Sequence, residues 1–283
     1  MSARPSWVDG RLVPAGEPAV RAEDQGFQHG LAVYDGMLLD KGCRIFEEQH
    51  IARLEHAARA LEITWPLPIS IRSALDEYVA ALGEEGPLLL RTQISRGVGG
   101  VPTVVITSRD VDPWPYPGIK VTVEARAKVS SSELEQLKST NRLRNVLARE
   151  AAVRAGAWEA LLMTEEGDLT EGTVSNLFCV LDDVVLTPPV GRGLLPGIVR
   201  AELLAELSVR GDRFSERQLG LAEISRASEV FLTNTSGRLI PVVNVIGVNE
   251  ELPGALGPRW GELSQIFRER EERYMDASRS GSS

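Results

Sequence analysis

The sequence predicts an α+β fold in two domains, and three observations lead to this prediction. Patterns typical of strands and of helices are mixed along both halves of the chain. The chain has 283 residues, more than the ~100–200 that are usual for one domain. Three prolines within five residues, at 113, 115 and 117, predict a stiff, extended connection. The expected division is a small amino-terminal domain at 1–112, a linker at 113–118, a larger domain at 119–276 and a flexible tail at 277–283.

Two tight turns and two helices are expected in the first domain. Asp9-Gly10 predicts a hairpin, and Lys41-Gly42 predicts another. A helix is expected at 47–61, because its apolar residues recur on one face, namely Ile51, Leu54, Ala58 and Leu61. A second helix is expected at 71–82.

The first domain is expected to end with two strands around a glycine-rich loop. The strands are predicted at 88–94 and 103–106, and the loop at 96–100. Glycine-rich loops can bind phosphate when a helix follows them. This one lies between two strands and lacks the spacing of a dinucleotide-binding loop, so a simple turn is expected.

In the second domain, the helix that follows Lys138 is expected to bury an apolar face formed by Leu143, Val146, Leu147 and Ala151. The remaining predicted elements are strands at 120–125, 160–164, 176–187 and 230–233, a helix opened by Pro196 and ended by Gly211, and a charged helix at 260–274. Periodicity alone gives strands here and does not say how they assemble.

Composition excludes several classes of function. The net charge of −9 argues against general binding to nucleic acids or to acidic membranes. No apolar run approaches the ~20 residues of a membrane span, and the first residues lack the apolar stretch of a signal peptide. The two cysteines, Cys43 and Cys179, are far apart with no neighbouring histidine, so no metal site is expected. A cytoplasmic enzyme fits these observations best.

The chemistry is expected from two segments, one containing Lys138 and the other Glu171. A lysine amine can form a Schiff base with an aldehyde cofactor, and a buried glutamate can keep a pyridine nitrogen protonated. Either residue alone is uninformative, since most lysines are solvated charges and many glutamates cap turns. Together they match the two ends of a pyridoxal 5'-phosphate (PLP) site.

The flanking residues resemble the class IV aminotransferases, which are the fold-type IV PLP enzymes. The chain matches every fixed position of the family signature. The matching residues include Glu171, Thr173, Asn176, Leu177, Phe178, Thr187, Gly197 and Arg200. This resemblance covers nearly the whole chain. It implies a small α/β amino-terminal domain, a larger domain with a β-barrel-like core and flanking helices that binds PLP, and a homodimer.

By this resemblance, Lys138 carries the cofactor and moves a proton during transamination, and its pKa is expected to be lowered by burial. Glu171 corresponds to the partner of the ring nitrogen. The backbone N–H groups of Ile198 and Val199, at a helix start, correspond to the phosphate site.

Two side chains are expected to add contacts to the phosphate. Thr235 matches a family threonine that contributes a hydroxyl. Arg53, within the sequence His50-Ile51-Ala52-Arg53-Leu54, matches a family arginine. His50 is interpreted as a structural residue near Arg53.

The substrate pocket is predicted less completely by the resemblance. Tyr34 corresponds to an aromatic residue that lines it, while Arg91 and Arg96 are candidates to hold a substrate carboxylate. Surface or interface salt bridges are an equal alternative for both arginines. Asp35 stands where the family has glutamate, and Val101-Pro102-Thr103 lacks the carboxylate-binding residues of the usual D-amino-acid enzymes.

The predicted function is a PLP-dependent aminotransferase that moves an amino group between a D-amino acid or (R)-amine and a 2-keto acid. The spacing of Lys138, Asn141 and Arg142 is similar to that of D-amino-acid aminotransferases and aminodeoxychorismate lyases. The alternatives are that lyase, which forms 4-aminobenzoate and pyruvate, and a branched-chain-type aminotransferase. A non-catalytic PLP carrier is a further alternative, against which the intact Lys138 and Glu171 argue.

Overall fold

The computed structural model describes residues 4–65, 70–83, 86–128 and 132–280. They form two compact units. The first unit ends at Val111 and also includes Leu137–Asn141, and the other described residues form the second unit. The predicted linker residues, 113–118, lie in neither a helix nor a strand.

The first unit is a sheet covered by two helices. Its elements are β1 (Ser6–Val8), β2 (Arg11–Val13), α1 (Gln25–His29), β3 (Ala32–Asp40), β4 (Cys43–Arg44), α2 (Glu47–Ala60), α3 (Ile71–Leu82), β5 (Leu88–Val98) and β6 (Val101–Asp110). The sheet order is β2-β1-β6-β5-β3-β4, and every pairing is antiparallel. Leu54 and Ala58 of α2 and Leu75 and Tyr78 of α3 pack in one core with buried sheet residues such as Leu90.

Both predicted hairpins of the first unit are confirmed. Asp9 and Gly10 have positive φ angles of 46° and 87°, and Lys41 and Gly42 have φ angles of 50° and 74°. Two successive positive φ angles match the twist of a hairpin. The glycine-rich loop is a turn, as predicted, but a shorter one, because β5 continues to Val98 and only Gly99-Gly100 separate it from β6.

The second unit contains a closed barrel. Its elements are β7 (Ile119–Lys128), α4 (Leu143–Arg154), β8 (Glu159–Thr164), β9 (Leu169–Gly172), β10 (Asn176–Leu181), β11 (Val184–Thr187), α5 (Ile198–Arg210), β12 (Phe214–Glu216), α6 (Leu221–Arg226), β13 (Glu229–Asn234), β14 (Arg238–Val245) and α7 (Pro258–Ser280). The sheet order is β12-β11-β10-β13-β14-β7-β8-β9, and β9 also pairs with β10. This last pairing closes six strands into a ring, so the β-barrel-like core is confirmed.

The predicted division of the chain is wrong at one segment. Residues 137–141, which include Lys138, group with the first unit although they follow the linker in sequence. The reason is backbone pairing with β3. The N–H of Tyr34 donates to the Lys138 carbonyl (2.9 Å), and the N–H of Thr140 donates to the Ala32 carbonyl (2.9 Å).

The predicted buried face of α4 is also wrong. Leu143 is 71% exposed and Val146 is 51% exposed. The helix instead buries Asn145, Ala148 and Ala152. The two alanines are small enough for close packing against β8, and the Asn145 side chain donates to the Thr173 carbonyl (2.9 Å). A polar residue with a specific partner and two small residues therefore form the inner face.

The end of the chain differs from prediction as well. A flexible tail is expected from Ala277, but α7 continues to Ser280. The hydroxyls of Ser278 and Ser280 bond to carbonyls one turn earlier in the same helix. Residues 281–283 lie outside the described residues. Across the described ranges, none of the helices has the length and apolar character that crossing a membrane requires.

Candidate active site

Lys138 is held on the first unit by the start of β3. Besides the two backbone bonds to β3, the Thr140 hydroxyl and the Asn141 amide donate to the Gly30 carbonyl (3.2 and 3.0 Å). Gly30 has a positive φ of 67°, and a β-carbon there would lie 2.2 Å from Oδ1 of Asn141. A glycine is therefore required where the chain passes the Lys138 segment.

Lys138, Tyr34 and Arg91 lie together. The Lys138 amine is 5.1 Å from the centre of the Tyr34 ring, and the Arg91 guanidinium is 3.8 Å from it. Arg91 also donates to the Gln93 side chain (2.9 Å), and its burial lowers the pKa of its guanidinium. An amine, a guanidinium and an aromatic ring thus lie together, which suits an anionic substrate group beside an amine.

Arg96 is engaged elsewhere. Its guanidinium donates to the carbonyl of Leu61, just after α2, and lies 3.9 Å from the Glu62 carboxylate. Of the two arginines predicted to hold a substrate carboxylate, Arg91 is therefore the one that the fold brings to Tyr34.

Asp35, His50 and Arg53 form a buried charged cluster between β3 and α2. Arg53 binds both carboxylate oxygens of Asp35 (2.8 Å each), and His50 Nδ1 lies 2.7 Å from Oδ1. Burial alone would raise the pKa of Asp35, but the charges of Arg53 and His50 outweigh it and lower this pKa. Burial lowers the pKa of His50 despite the neighbouring carboxylate. The interpretation of His50 as a structural residue near Arg53 agrees with this geometry.

In the second unit, Glu171 and Asn176 hold the backbone of Leu195 from both sides. The two residues are directly paired between β9 and β10. The Leu195 N–H donates to Oε2 of Glu171 (3.0 Å), and the Asn176 amide donates to the Leu195 carbonyl (2.9 Å). Glu171 and Asn176 are both buried. This arrangement, here called the Leu195 clamp, fixes the chain just before α5.

The start of α5 fits an anion. Gly197 is the N-cap of α5 and has no side chain. The first N–H groups of the helix, including those of Ile198 and Val199, therefore have no side-chain acceptor from the N-cap residue. The thirteen residues of α5 add a helix dipole that favours negative charge at this end. Thr235 lies in the loop between β13 and β14. These donors suit a phosphate, and the buried carboxylate of Glu171 suits a protonated ring nitrogen, which are two ends of PLP.

Two buried carboxylates, Asp35 of the first unit and Glu159 of the second, are missed by sequence reasoning. Asp35 stands out only as a departure from the family glutamate, without a partner assigned. Glu159 is missed entirely, although a charged residue at the start of the apolar run Ala160-Leu161-Leu162 is a signal that could have found it.

Comparison with known proteins identifies the family of this chain. The family described as amino-transferase class IV matches residues 32–245. The chain is 31% identical over 266 residues to a D-alanine aminotransferase of Bacillus licheniformis, which covers 88% of this chain and 91% of that protein. It is 29% identical over 277 residues to a putative branched-chain-amino-acid aminotransferase of Methanocaldococcus jannaschii, which covers 93% and 96%.

Among solved structures, the fold is similar to that of a branched-chain aminotransferase from Thermoproteus uzoniensis. The TM-score is 0.86 at 24% identity, and the match covers 96% of this chain and 97% of that one. The extent of the family match and the 31% identical relative establish the family. The chain belongs to the class IV aminotransferases and is a PLP-dependent transaminase.

Proposed function

We propose that this transaminase takes amino groups from D-amino acids or (R)-amines and gives them to 2-keto acids. The observation that carries this proposal is the place shared by Lys138, Tyr34 and Arg91 on the first unit. The relative named D-alanine aminotransferase, at 31% identity, supports the same choice. A branched-chain-type activity is the alternative that the relative at 29% identity favours.

The cofactor contacts are part of this proposal. Lys138 would bind PLP covalently, and Glu171 would pair with its ring nitrogen. The N–H groups of Ile198 and Val199 and the Thr235 hydroxyl would hold the phosphate, and Arg53 of the first unit is the further candidate that the family resemblance implies. Asp35 supports Arg53, because it binds the guanidinium at two points and restricts its orientation. When bound, PLP supplies the electron sink that stabilises the carbanion at the donor Cα.

The chain's own residues supply the proton transfer and the orientation of the donor. The Lys138 amine would take the proton from the donor Cα as a general base and deliver it to the C4′ carbon of the cofactor as a general acid. Arg91 holds the carboxylate of a donor or keto acid. The Tyr34 ring packs beside the Lys138 amine and the Arg91 guanidinium and would line the pocket wall.

The proposal extends to assembly and location. A homodimer is supported by the exposed apolar residues of α4, since an apolar row can pack against its own copy around a two-fold axis. A cytoplasmic location is supported by Cys179, which is a buried free thiol.

A half-reaction screen tests the function. Protein loaded with PLP is mixed with single amino donors, and its visible spectrum is followed. D-alanine or an (R)-amine is expected to convert the cofactor to pyridoxamine phosphate faster than L-alanine does, and pyruvate should reverse the change. Lys138→Ala is the control and should show no conversion, because the amine that moves the proton is gone.

The alternatives give different outcomes in the same screen. Fastest conversion by L-leucine would replace the proposal with the branched-chain-type activity. Release of 4-aminobenzoate from aminodeoxychorismate, without pyridoxamine phosphate formed from any amino acid, would indicate the lyase.

A further inference from the structure

Glu159 is a charged residue that is fully buried at the start of β8. Its side chain has 0% exposure, and the strand residues after it, such as Leu161 and Leu162, are apolar core. A carboxylate in such a place is retained only if donors compensate for the water it has lost. The residues that supply those donors identify what Glu159 holds.

Nearly all of these donors belong to one turn, residues 172–175, which joins β9 to β10. Oε1 of Glu159 accepts from the N–H of Thr173 (3.1 Å) and from its hydroxyl. Oε2 accepts from the N–H of Val174 (3.3 Å) and from the hydroxyl of Ser175 (3.3 Å). The N–H of Ala160, beside Glu159 itself, also donates to Oε1 (2.9 Å), and Arg149 of α4 forms a longer ion pair with Oε2 (3.9 Å).

The turn is closely packed around this carboxylate. The N–H of Gly172 donates to the Ser175 carbonyl (2.7 Å). A β-carbon on Gly172 would lie 2.3 Å from the Ser175 hydroxyl and 3.2 Å from the Glu159 carboxyl carbon, so no side chain fits. From its other side the turn is held by Arg142 and Asn145, which both donate to the Thr173 carbonyl (2.8 and 2.9 Å).

The turn is continuous with the Leu195 clamp. Glu171 immediately precedes it and Asn176 immediately follows it. The geometry of the turn therefore decides where the Glu171 carboxylate and the Asn176 amide lie. These two side chains in turn fix the backbone before α5, where the phosphate donors begin.

We propose that Glu159 is a positioning residue, which sets the Glu171 carboxylate and the α5 start for PLP through the turn at 172–175. This inference rests on the proposed cofactor contacts. Four hydrogen bonds run from the turn to this one anion. They are charge-assisted and strong, so they restrict the turn more than bonds to a neutral side chain would.

The test compares Glu159→Gln with Glu229→Gln. Glu229 is a matched control, because it is a buried carboxylate of the same unit that accepts two backbone N–H groups, those of Arg259 and Trp260 (2.9 and 2.7 Å). It caps α7 and contacts neither the turn nor the Leu195 clamp among the described contacts. Each amide variant places an NH2 donor against N–H donors, so both are expected to unfold at a lower temperature.

The cofactor separates the two variants. PLP is titrated into cofactor-free protein, and the pH midpoint of the bound cofactor's visible absorbance is measured. Glu159→Gln is expected to weaken PLP binding about tenfold or more, as loss of outer-shell partners does at other sites, and to move that midpoint. Glu229→Gln should have the same PLP affinity and the same pH midpoint as the unchanged protein. Thr173→Val, which removes one donor and keeps the charge, should give a smaller change of the same kind and remains informative if Glu159→Gln does not fold.

Three outcomes are distinguishable. Normal PLP affinity and midpoint in both Glu159→Gln and Thr173→Val would overturn the positioning role. Equal losses of affinity in Glu159→Gln and Glu229→Gln would overturn it as well, because general destabilisation would then explain both. Failure of the unchanged protein to bind PLP would instead refute the proposed cofactor contacts.

Discussion

Asp35 holds two side chains of α2 in place from the face of β3 opposite to Tyr34. Adjacent residues of a strand point to opposite faces, so Tyr34 faces Lys138 and Arg91 while Asp35 faces the core. Asp35 therefore supports Arg53 of α2 and leaves Tyr34 on its own face of the strand. At this scale a residue's role follows from its partners more than from its own type.

Asp35→Asn is expected to destabilise the protein in a pH-dependent way. The folded state lowers the pKa of Asp35, so its carboxylate stabilises the fold above the unfolded pKa of about 3.9 and this contribution is lost as pH falls through the lower, folded value. Removing one partner of a buried ion pair costs about 3–5 kcal/mol. Urea unfolding at pH 7 should show a lower free energy of unfolding for the variant. The difference in this free energy between the variant and the unchanged protein should be smaller at pH 3.

Asp76→Asn is the control for this measurement. Asp76 also pairs with an arginine, Arg44 (2.7 Å), but its side chain is 60% exposed. Exposed ion pairs contribute about 0–1 kcal/mol. The role given to Asp35 would be contradicted if the two variants lost the same free energy of unfolding. It would also be contradicted if the loss in Asp35→Asn did not depend on pH.

The start of α5, where the phosphate donors are proposed, is shaped by contact between a strand and a helix. Asn176 of β10 reaches the Leu195 carbonyl, and its side-chain oxygen occupies the space where Gly197 would carry a β-carbon. Strand and helix approach this closely only because residue 197 lacks a side chain. The φ of Gly197 is −73°, so contact, not backbone conformation, requires glycine there.

Gly197→Ala should therefore disturb the clamp through its side chain alone. The added β-carbon would lie 1.8 Å from Oδ1 of Asn176, which has to move and release Leu195. Overpacking of this kind costs roughly 1–3 kcal/mol. Thermal unfolding should show this loss, and PLP titration should show weaker binding. Gly191→Ala, where a β-carbon meets no atom within 4 Å, is the control, and identical results for the two variants would refute this account.

At the scale of the whole molecule, the proposed homodimer gives α4 a second role. Its inner face packs on β8, while Leu143, Val146 and Leu147 on its outer side are exposed. Apolar residues grouped on one exposed side of a helix are typical of a surface that another chain covers.

The double variant Leu143→Ser/Leu147→Ser is expected to shift the protein from dimer to monomer. Sedimentation over a range of concentrations measures the change, because dimers dissociate on dilution. Val209→Ser is the control, since Val209 of α5 is 87% exposed and lies on a different helix. A monomeric unchanged protein would refute the homodimer, and a double variant that stays dimeric would place the interface elsewhere.

Features that depend only on residues adjacent in the chain can be predicted from the sequence. Asp9-Gly10 and Lys41-Gly42 favour the positive φ angles of tight hairpins whatever surrounds them. The helix at Ile71–Leu82 follows from local periodicity, and it has the predicted bounds. Lys138 and Glu171 were selected by short motifs, which identified the family and the cofactor.

Which distant residues each of these features contacts depends on the tertiary structure. The barrel closes through the pairing of Glu171 with Asn176, and the Lys138 segment joins β3, which lies far away in sequence. Periodicity predicts that the outer face of α4 is buried, because it shows which residues share a helix face. It does not show which face packs against the rest of the protein. Four hydrogen bonds to Glu159 come from Thr173, Val174 and Ser175, which only folding brings next to it. Burial and hydrogen bonding between distant segments depend on the whole chain, and no local pattern contains them.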